Sequence, residues 1–302
     1  VTQTEVVVVA GRRTPFTRAG TGLADHTALQ LGTRAVEALQ ALQCLPADRL
    51  GELCFGQVVL DPRTPNAARE VVLASGLPAS LPAHTISAYC ISGLHAVTNI
   101  ATAIASGRIE AGIAAGADSL SQPPLLFKRP AVRAFTGLAQ ARALSGRLRS
   151  LAALRPAHFL PEAPGVAEPS TGLTMGQHCE QMAREWGIPR ETQDALALRS
   201  HQRAAAAWDD GRLPEQVSAL GNVHRDNLVR RDTSLEKLSR LPTAFDRSEA
   251  GSLTAGNSSP LTDGAAAVLL ASRSAASRAG APILAIVRDW EFAALPPAAG
   301  LL

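Results

Sequence analysis

The sequence predicts an α/β fold, a sheet layered between helices (α/β/α), with a long α-rich insertion. Three observations carry this. Over the first 120 residues, short apolar runs alternate with amphipathic segments at helical spacing, the pattern of strands and helices taken in turn. Near residue 122 the alternation stops and gives way to polar, helix-rich sequence. From Gly264 to Ala271 a run of buried-strand composition returns, so the insertion leaves the sheet and rejoins it.

The elements follow in order. Glu5 to Ala10 holds four consecutive valines, as expected for a strand buried on both faces of a parallel sheet. Thr27 to Leu42 places Leu29, Val36, Leu39 and Leu42 at helical spacing. Leu53 to Leu60 reads as a second strand, and Ala67 to Ser75 as a helix stopped by Gly76 and Pro78. His84 to Tyr89 is a third strand, Leu94 to Ser106 a helix, and Ala111 to Ala117 a fourth strand. Crossovers between parallel strands are expected to be right-handed. In the insertion, Gly176 to Trp186 and Arg190 to Trp208 read as helices, parted by Gly187-Ile188-Pro189. Ile283 to Trp290 reads as one more strand.

Composition excludes several classes. A chain of 302 residues can bury one large core or two modest ones. With 46% hydrophobic and 18% charged residues it is not a disordered chain. Aromatics are only 4% while Ala and Gly abound, which favours close packing of helices on a sheet. A net charge of +3 does not by itself point to nucleic acid. No stretch of about 18 apolar residues predicts a membrane-spanning helix, and, with an opening that reads directly as a strand, no secretory signal is expected. Cys44, Cys54, Cys90 and Cys179 show no metal-ligand spacing, so reduced thiols, a cytoplasmic setting and no metal are expected.

Cys90 sits in Ala88-Tyr89-Cys90-Ile91-Ser92-Gly93-Leu94-His95-Ala96-Val97, between an apolar run and a helix-like run. A strand that turns into a helix at a cysteine puts a thiol at a helix N-terminus, where free backbone N–H groups and the helix dipole favour the thiolate. Ser92 and Gly93 leave space for a substrate. A nucleophile and a buried structural cysteine both fit this motif alone.

The chain as a whole resembles the thiolase family. Val9 to Phe16 is similar to the family's opening strand and turn, Ala88 to Val97 to its nucleophile turn, and Gly116-Ala117-Asp118-Ser119 to the strand end before its loop domain. Thr174-Met175-Gly176 and Ile188 to Ser200 resemble the start of its substrate-binding helices. Thr254-Ala255-Gly256-Asn257-Ser258-Ser259, followed by Asp263-Gly264-Ala265-Ala266, is the most specific match. The resemblance implies domains at 1–121 plus 249–279 (N-terminal thiolase domain), 122–248 (loop domain, binding coenzyme A) and 280–302 (the start of a truncated C-terminal domain). It implies an acyl-CoA thiolase of fatty-acid β-oxidation, with Cys90 as the nucleophile that carries the acyl group and coenzyme A as co-substrate rather than resident cofactor. A biosynthetic acetyl-CoA acetyltransferase and an inactive CoA-binding or assembly subunit are the alternatives.

The resemblance further assigns Met175 to the pantetheine or acyl pocket, Ser259 to the pantetheine arm and Arg230, in Asp226-x-x-x-Arg230, to the CoA adenine. A core methionine, a small turn residue and a solvated arginine are the plain readings of the same three. His84, His95 and His178 match no catalytic position of the family and are expected to be structural. The family also uses a histidine in an Asn-Glu-Ala-Phe-like motif, a Gly-His-Pro histidine and a second cysteine in Cys-x-Gly, none of which occurs in the 302 residues. Truncation is the favoured account.

Residues 123–155 carry Lys128, Arg129, Arg133, Arg142, Arg147, Arg149 and Arg155 with no acidic residue, interleaved with leucines and phenylalanines. That composition suits a solvated loop that helps hold an anionic substrate, or an amphipathic segment docking on a membrane surface or partner. Such insertions resemble the β-subunits of fatty-acid oxidation complexes, which implies a possible hydratase–dehydrogenase partner. A homodimer or homotetramer is implied by the family, and no nucleic acid.

Overall fold

The computed structural model describes residues 4–297 except 153, 163, 164 and 166. The closing residues 298–302, part of the expected start of a further domain, lie outside the described residues. Two compact units result: residues 1–122 with 168–302, and residues 123–167.

The larger unit opens with β1 (Val6–Arg13), β2 (Thr17–Arg18), α1 (Ala28–Gln40), β3 (Glu52–Gly56), α2 (Ala67–Ala74), β4 (Ala83–Ile86), α3 (Ser92–Ala105) and β5 (Ala111–Ser119). The smaller unit holds α4 (Arg129–Gln140) and α5 (Leu144–Ala152). The larger unit continues with α6 (Met175–Glu185), α7 (Arg190–Asp209), α8 (Arg212–Gln216), α9 (Leu235–Ser239), β6 (Thr262–Ser272), α10 (Arg273–Arg278) and β7 (Ala285–Val287).

The strands form one sheet in the order β4-β3-β5-β6-β1-β7, with β2 added alongside β6. Side chains alternate between its faces. Leu53, Phe55, Ile113, Ala115, Ala267 and Leu269 join the core under α1 and α2, while Cys54, Ala114 and Leu270 join a second core under α3. This is the α/β/α layering expected. Burial pushes the Cys54 thiol up to about 11, so this cysteine is an apolar filler in practice.

One expectation is corrected. The sheet is mixed, not parallel: β4, β3 and β5 run parallel, but β6 is antiparallel to β5 and β1, and β7 is antiparallel to β1. The valine run reported burial on both faces faithfully, since Val7 and Val9 enter one core and Val6 the other. Burial dictates composition, and composition does not encode strand direction.

Two strand ends also fall short of their apolar runs. The second strand stops at Gly56 because the Asp118 carboxylate accepts the N–H groups of Val58 and Val59, at 3.1 and 2.8 Å, and draws them out of the ladder. The third stops at Ile86, where the chain begins the turn that presents Cys90.

Candidate active site

The turn after β4 is set by hydrogen bonds from one buried hydroxyl. Ser92 Oγ accepts from Ala88 N–H at 2.8 Å and donates to the Tyr89 carbonyl at 2.6 Å. Between them Tyr89 adopts φ +49°, a left-handed conformation costly for a residue with a Cβ. The helix then begins at Ser92, and no side chain caps its N-terminus. Gly56 lets that helix start sit directly on β3, since a Cβ there would lie 2.6 Å from the Ser92 carbonyl carbon.

The outcome is an exposed Cys90, which removes the structural-cysteine reading. Its thiol lines a cavity of about 740 Å³. Phe16, Tyr89, Leu94 and Val97 supply apolar wall, and Gly116, Asp118 and Gly264 come from the ends of the adjoining strands. Burial raises the Asp118 carboxyl above the ordinary range, against the pull of the two backbone N–H groups it accepts.

None of the three histidines weighed from sequence lines this cavity. His84 pairs with Glu52 at 3.0 Å. His95 stacks on Phe292 with ring centroids 4.1 Å apart. His178 is buried, with Nε2 at 2.9 Å from Thr171 Oγ1. Each has a structural occupation.

Arg230 and Ser259 come together in a second cavity of about 570 Å³. Sequence reasoning missed its other polar walls, Arg18, His201, Asn227 and Lys237. These come from the β1–β2 region, α7, a loop and α9, so no contiguous motif marks them. Lys237 Nζ is 3.0 Å from Asp232, whose carboxyl it holds below the usual range. The Arg230 N–H donates to His201 Nδ1 at 3.3 Å, which leaves the neutral imidazole its proton on Nε2. Burial, and then the nearby Arg230 charge, lowers the His201 pKa.

The loop bearing Ser259 is fastened from beneath by two buried carboxylates. Glu180, only 1% exposed, accepts from Ser252 N–H, Ser252 Oγ–H and Leu253 N–H, at 3.0, 3.0 and 2.7 Å. Asp194 accepts from Arg190 Nε at 2.8 Å and from Asn257 Nδ2 at 3.0 Å. Asn257 Oδ1 in turn accepts from Thr254 N–H at 2.7 Å. The specific run Thr254 to Ser259 and the helix Arg190 to Asp209 are thus one hydrogen-bonded assembly.

Met175 lines neither cavity. It opens α6 behind the capping box of Thr174 and Gln177 and is 39% exposed, so it is not a core methionine either. Its neighbour Gly176 packs against the Phe245 ring, which does line the Arg230 cavity. Among the described residues, no helix is long and apolar enough to cross a membrane.

Comparison with known proteins places these features. The family model "Thiolase, N-terminal domain" matches residues 6–274. A 3-ketoacyl-CoA thiolase of Klebsiella pneumoniae (strain 342) is 43% identical over 296 residues, covering 96% of this chain and 68% of the relative. One of Escherichia coli (strain 55989) is 44% identical over the same shares. Among solved structures, the Bacillus anthracis acetyl-CoA acetyltransferase superposes with a TM-score of 0.78 at 26% identity, covering 94% of this chain and 69% of that one.

Proposed function

The chain belongs to the thiolase family, and from that premise we propose that it is an acyl-CoA thiolase in which Cys90 is the nucleophile toward 3-ketoacyl-CoA. The observation that carries the reading is the exposed thiol at the strained Tyr89 turn, opening on a cavity beside the start of α3. The Cys90 thiolate attacks the keto carbon. The bond from that carbon to C2 breaks, and the released carbanion takes a proton to become acetyl-CoA. The acyl group stays on Sγ. A second coenzyme A gives up its thiol proton and attacks the acyl carbon, and Sγ leaves as thiolate. The uncapped start of α3 supplies dipole and N–H groups near the charge that develops. The proton carriers that the family resemblance assigns to other motifs are not assigned to any residue here.

Coenzyme A is a co-substrate in this reading, held by the Arg230 cavity. Arg230 stacks on or pairs with the nucleotide end, and Ser259 contacts the pantetheine arm. Met175, beside Gly176 on the Phe245 ring, is kept as a contact of the pantetheine or acyl group. We take residues 122–248 as the loop domain, with 1–121 and 249–279 as the sheet domain and 280–302 opening a further one. Run in reverse the same site condenses two acyl-CoAs, and the likeness to an acetyl-CoA acetyltransferase favours keeping that direction as the second reading.

The test is to incubate the protein with acetoacetyl-CoA, quench, and map the adduct by mass spectrometry. One acetyl group on the Cys90 peptide, absent in Cys90→Ala, is expected. Acylation elsewhere, or none, sinks the proposal.

A cytoplasmic homodimer or homotetramer is the form proposed, with a hydratase–dehydrogenase subunit as a possible partner. In the 123–167 unit, exposed Leu126, Phe127, Leu144 and Leu148 stand among the arginines of α4 and α5. This suits docking on an anionic membrane surface. Failure to co-sediment with anionic vesicles at low salt would remove it and leave the protein partner.

A further inference from the structure

One carboxylate bonds a wall of the Cys90 cavity and stands next in sequence to a wall of the Arg230 cavity. Asp226 lies in the loop between α8 and α9. It accepts from Arg13 through both terminal guanidinium nitrogens, at 2.7 and 2.9 Å, and from the Phe16 N–H at 2.7 Å. The pair is nearly buried, with Arg13 and Asp226 side chains 14% and 12% exposed. A bidentate pair in that setting fixes geometry as well as adding energy.

The next residue repeats the connection. Asn227 accepts from Arg18 N–H and donates to Thr21 Oγ1, both at 2.8 Å. Ser218 N–H adds a bond to the Arg13 carbonyl at 2.8 Å. The turn after β1 is thereby bolted to the loop that leads to Arg230.

Each side of the bolt faces a different cavity. Phe16 is a wall of the Cys90 cavity. It is held by the Asp226 bond to its N–H, by the Arg13 guanidinium 4.7 Å over its ring, and by close packing on Gly264, where no Cβ would fit. Arg18, Asn227 and Arg230 are walls of the other cavity.

We propose that Asp226 is a positioning residue that sets the spacing between the nucleotide cavity and Cys90, so that binding at the nucleotide end is spent on placing the keto carbon at the sulfur. The proposal rests on the reading of Cys90 and Arg230 given above. Remote binding energy accelerates the chemical step only where a rigid site transmits it to the reacting centre.

The experiment follows acylation of Cys90 by quenched-flow mass spectrometry in the full-length protein, with two thioesters. Acetoacetyl-CoA carries the nucleotide; acetoacetyl-pantetheine has the same reacting end without it. In both, the sulfur–acyl bond forms as the C2–C3 bond breaks and the released fragment takes a proton. For Asp226→Ala, acylation by acetoacetyl-CoA is expected to slow by about tenfold or more, with acetoacetyl-pantetheine within about twofold of the unsubstituted protein. Asp226→Asn keeps an acceptor for the Phe16 N–H and loses the ion pair. It is expected to fall between, and it carries the same comparison should the alanine variant not fold. An equal slowing with both thioesters would mean a purely structural role and overturn the proposal, as would no slowing with either. Unsubstituted protein that fails to acylate Cys90 at all would overturn the underlying reading, and that failure is recognised before any substitution is made.

Discussion

The two cavities are built by opposite means. The Cys90 cavity is made of small and apolar residues at the ends of a packed sheet, and its one strained residue is held by backbone geometry and a single serine. The Arg230 cavity gathers charged and polar side chains from a strand, two helices and loops, and the loop bearing Ser259 keeps its shape because buried carboxylates hold it. A nucleophile gains from a rigid scaffold whose groups need no reorganisation. A large, charged and partly solvated ligand can be met by long side chains, provided the backbone beneath them is fixed. The difference teaches where each cavity is vulnerable: the first in rate, the second in stability.

That contrast can be broken by a pair of variants. Glu180→Ala strands three donors, two on part-buried Ser252 and one on buried Leu253, and is expected to destabilise the protein by about 3 kcal/mol in denaturant melts. Ser92→Ala removes one hydroxyl with two bonds and is expected to cost about 1 kcal/mol. The order should invert in kinetics. Releasing Tyr89 from φ +49° moves the neighbouring sulfur, so Ser92→Ala slows Cys90 acylation more than Glu180→Ala does in the fraction that remains folded. A Ser92→Ala protein that melts earlier than Glu180→Ala, or acylates at the normal rate, would erase the distinction drawn between the cavities.

The same contrast explains what was legible in the sequence. The Cys90 turn is contiguous, so strand, turn, nucleophile and helix could be read in one stretch of ten residues. Layering was legible because two buried faces demand apolar runs, and those runs are present in the first and fourth strands alike. Strand direction was not, because β6 returns to the sheet only after an insertion of more than a hundred residues, and nothing in its alanines records which way it points. In the second cavity Arg230 and Ser259 came from resemblance, residue by residue. Arg18, His201 and Lys237 stayed hidden because only the folded chain gathers them. Met175 was matched by its motif, yet a helix N-terminus fixes its backbone and not the direction of an unbranched side chain.

The smallest expected effect sharpens the comparison on the charged side. His201 sits against Arg230, with Nδ1 accepting that residue's N–H. Burial first, and the Arg230 charge second, lower its pKa below the ordinary 6.5. The folded protein therefore binds this proton less readily than the unfolded chain. Its contribution to stability is fully present above the unfolded value and is lost as pH falls from there toward the folded one. Protonation also removes the acceptor that Arg230 N–H uses. Melting temperature should then drop more between about pH 8 and about pH 5.5 in the unsubstituted protein than in His201→Gln, which cannot titrate there. The side chain is only partly buried, so the difference should be small beside that of Glu180→Ala. No such term is expected from the walls of the Cys90 cavity, where the titrating carboxyl is Asp118. Burial raises the Asp118 pKa, so its contribution runs the other way, favouring the folded state as pH falls through the carboxylate range. Identical acid sensitivity in His201→Gln and the unsubstituted protein would mean that the Arg230 cavity does not feel the imidazole proton, and that its loops are held by the buried carboxylates alone.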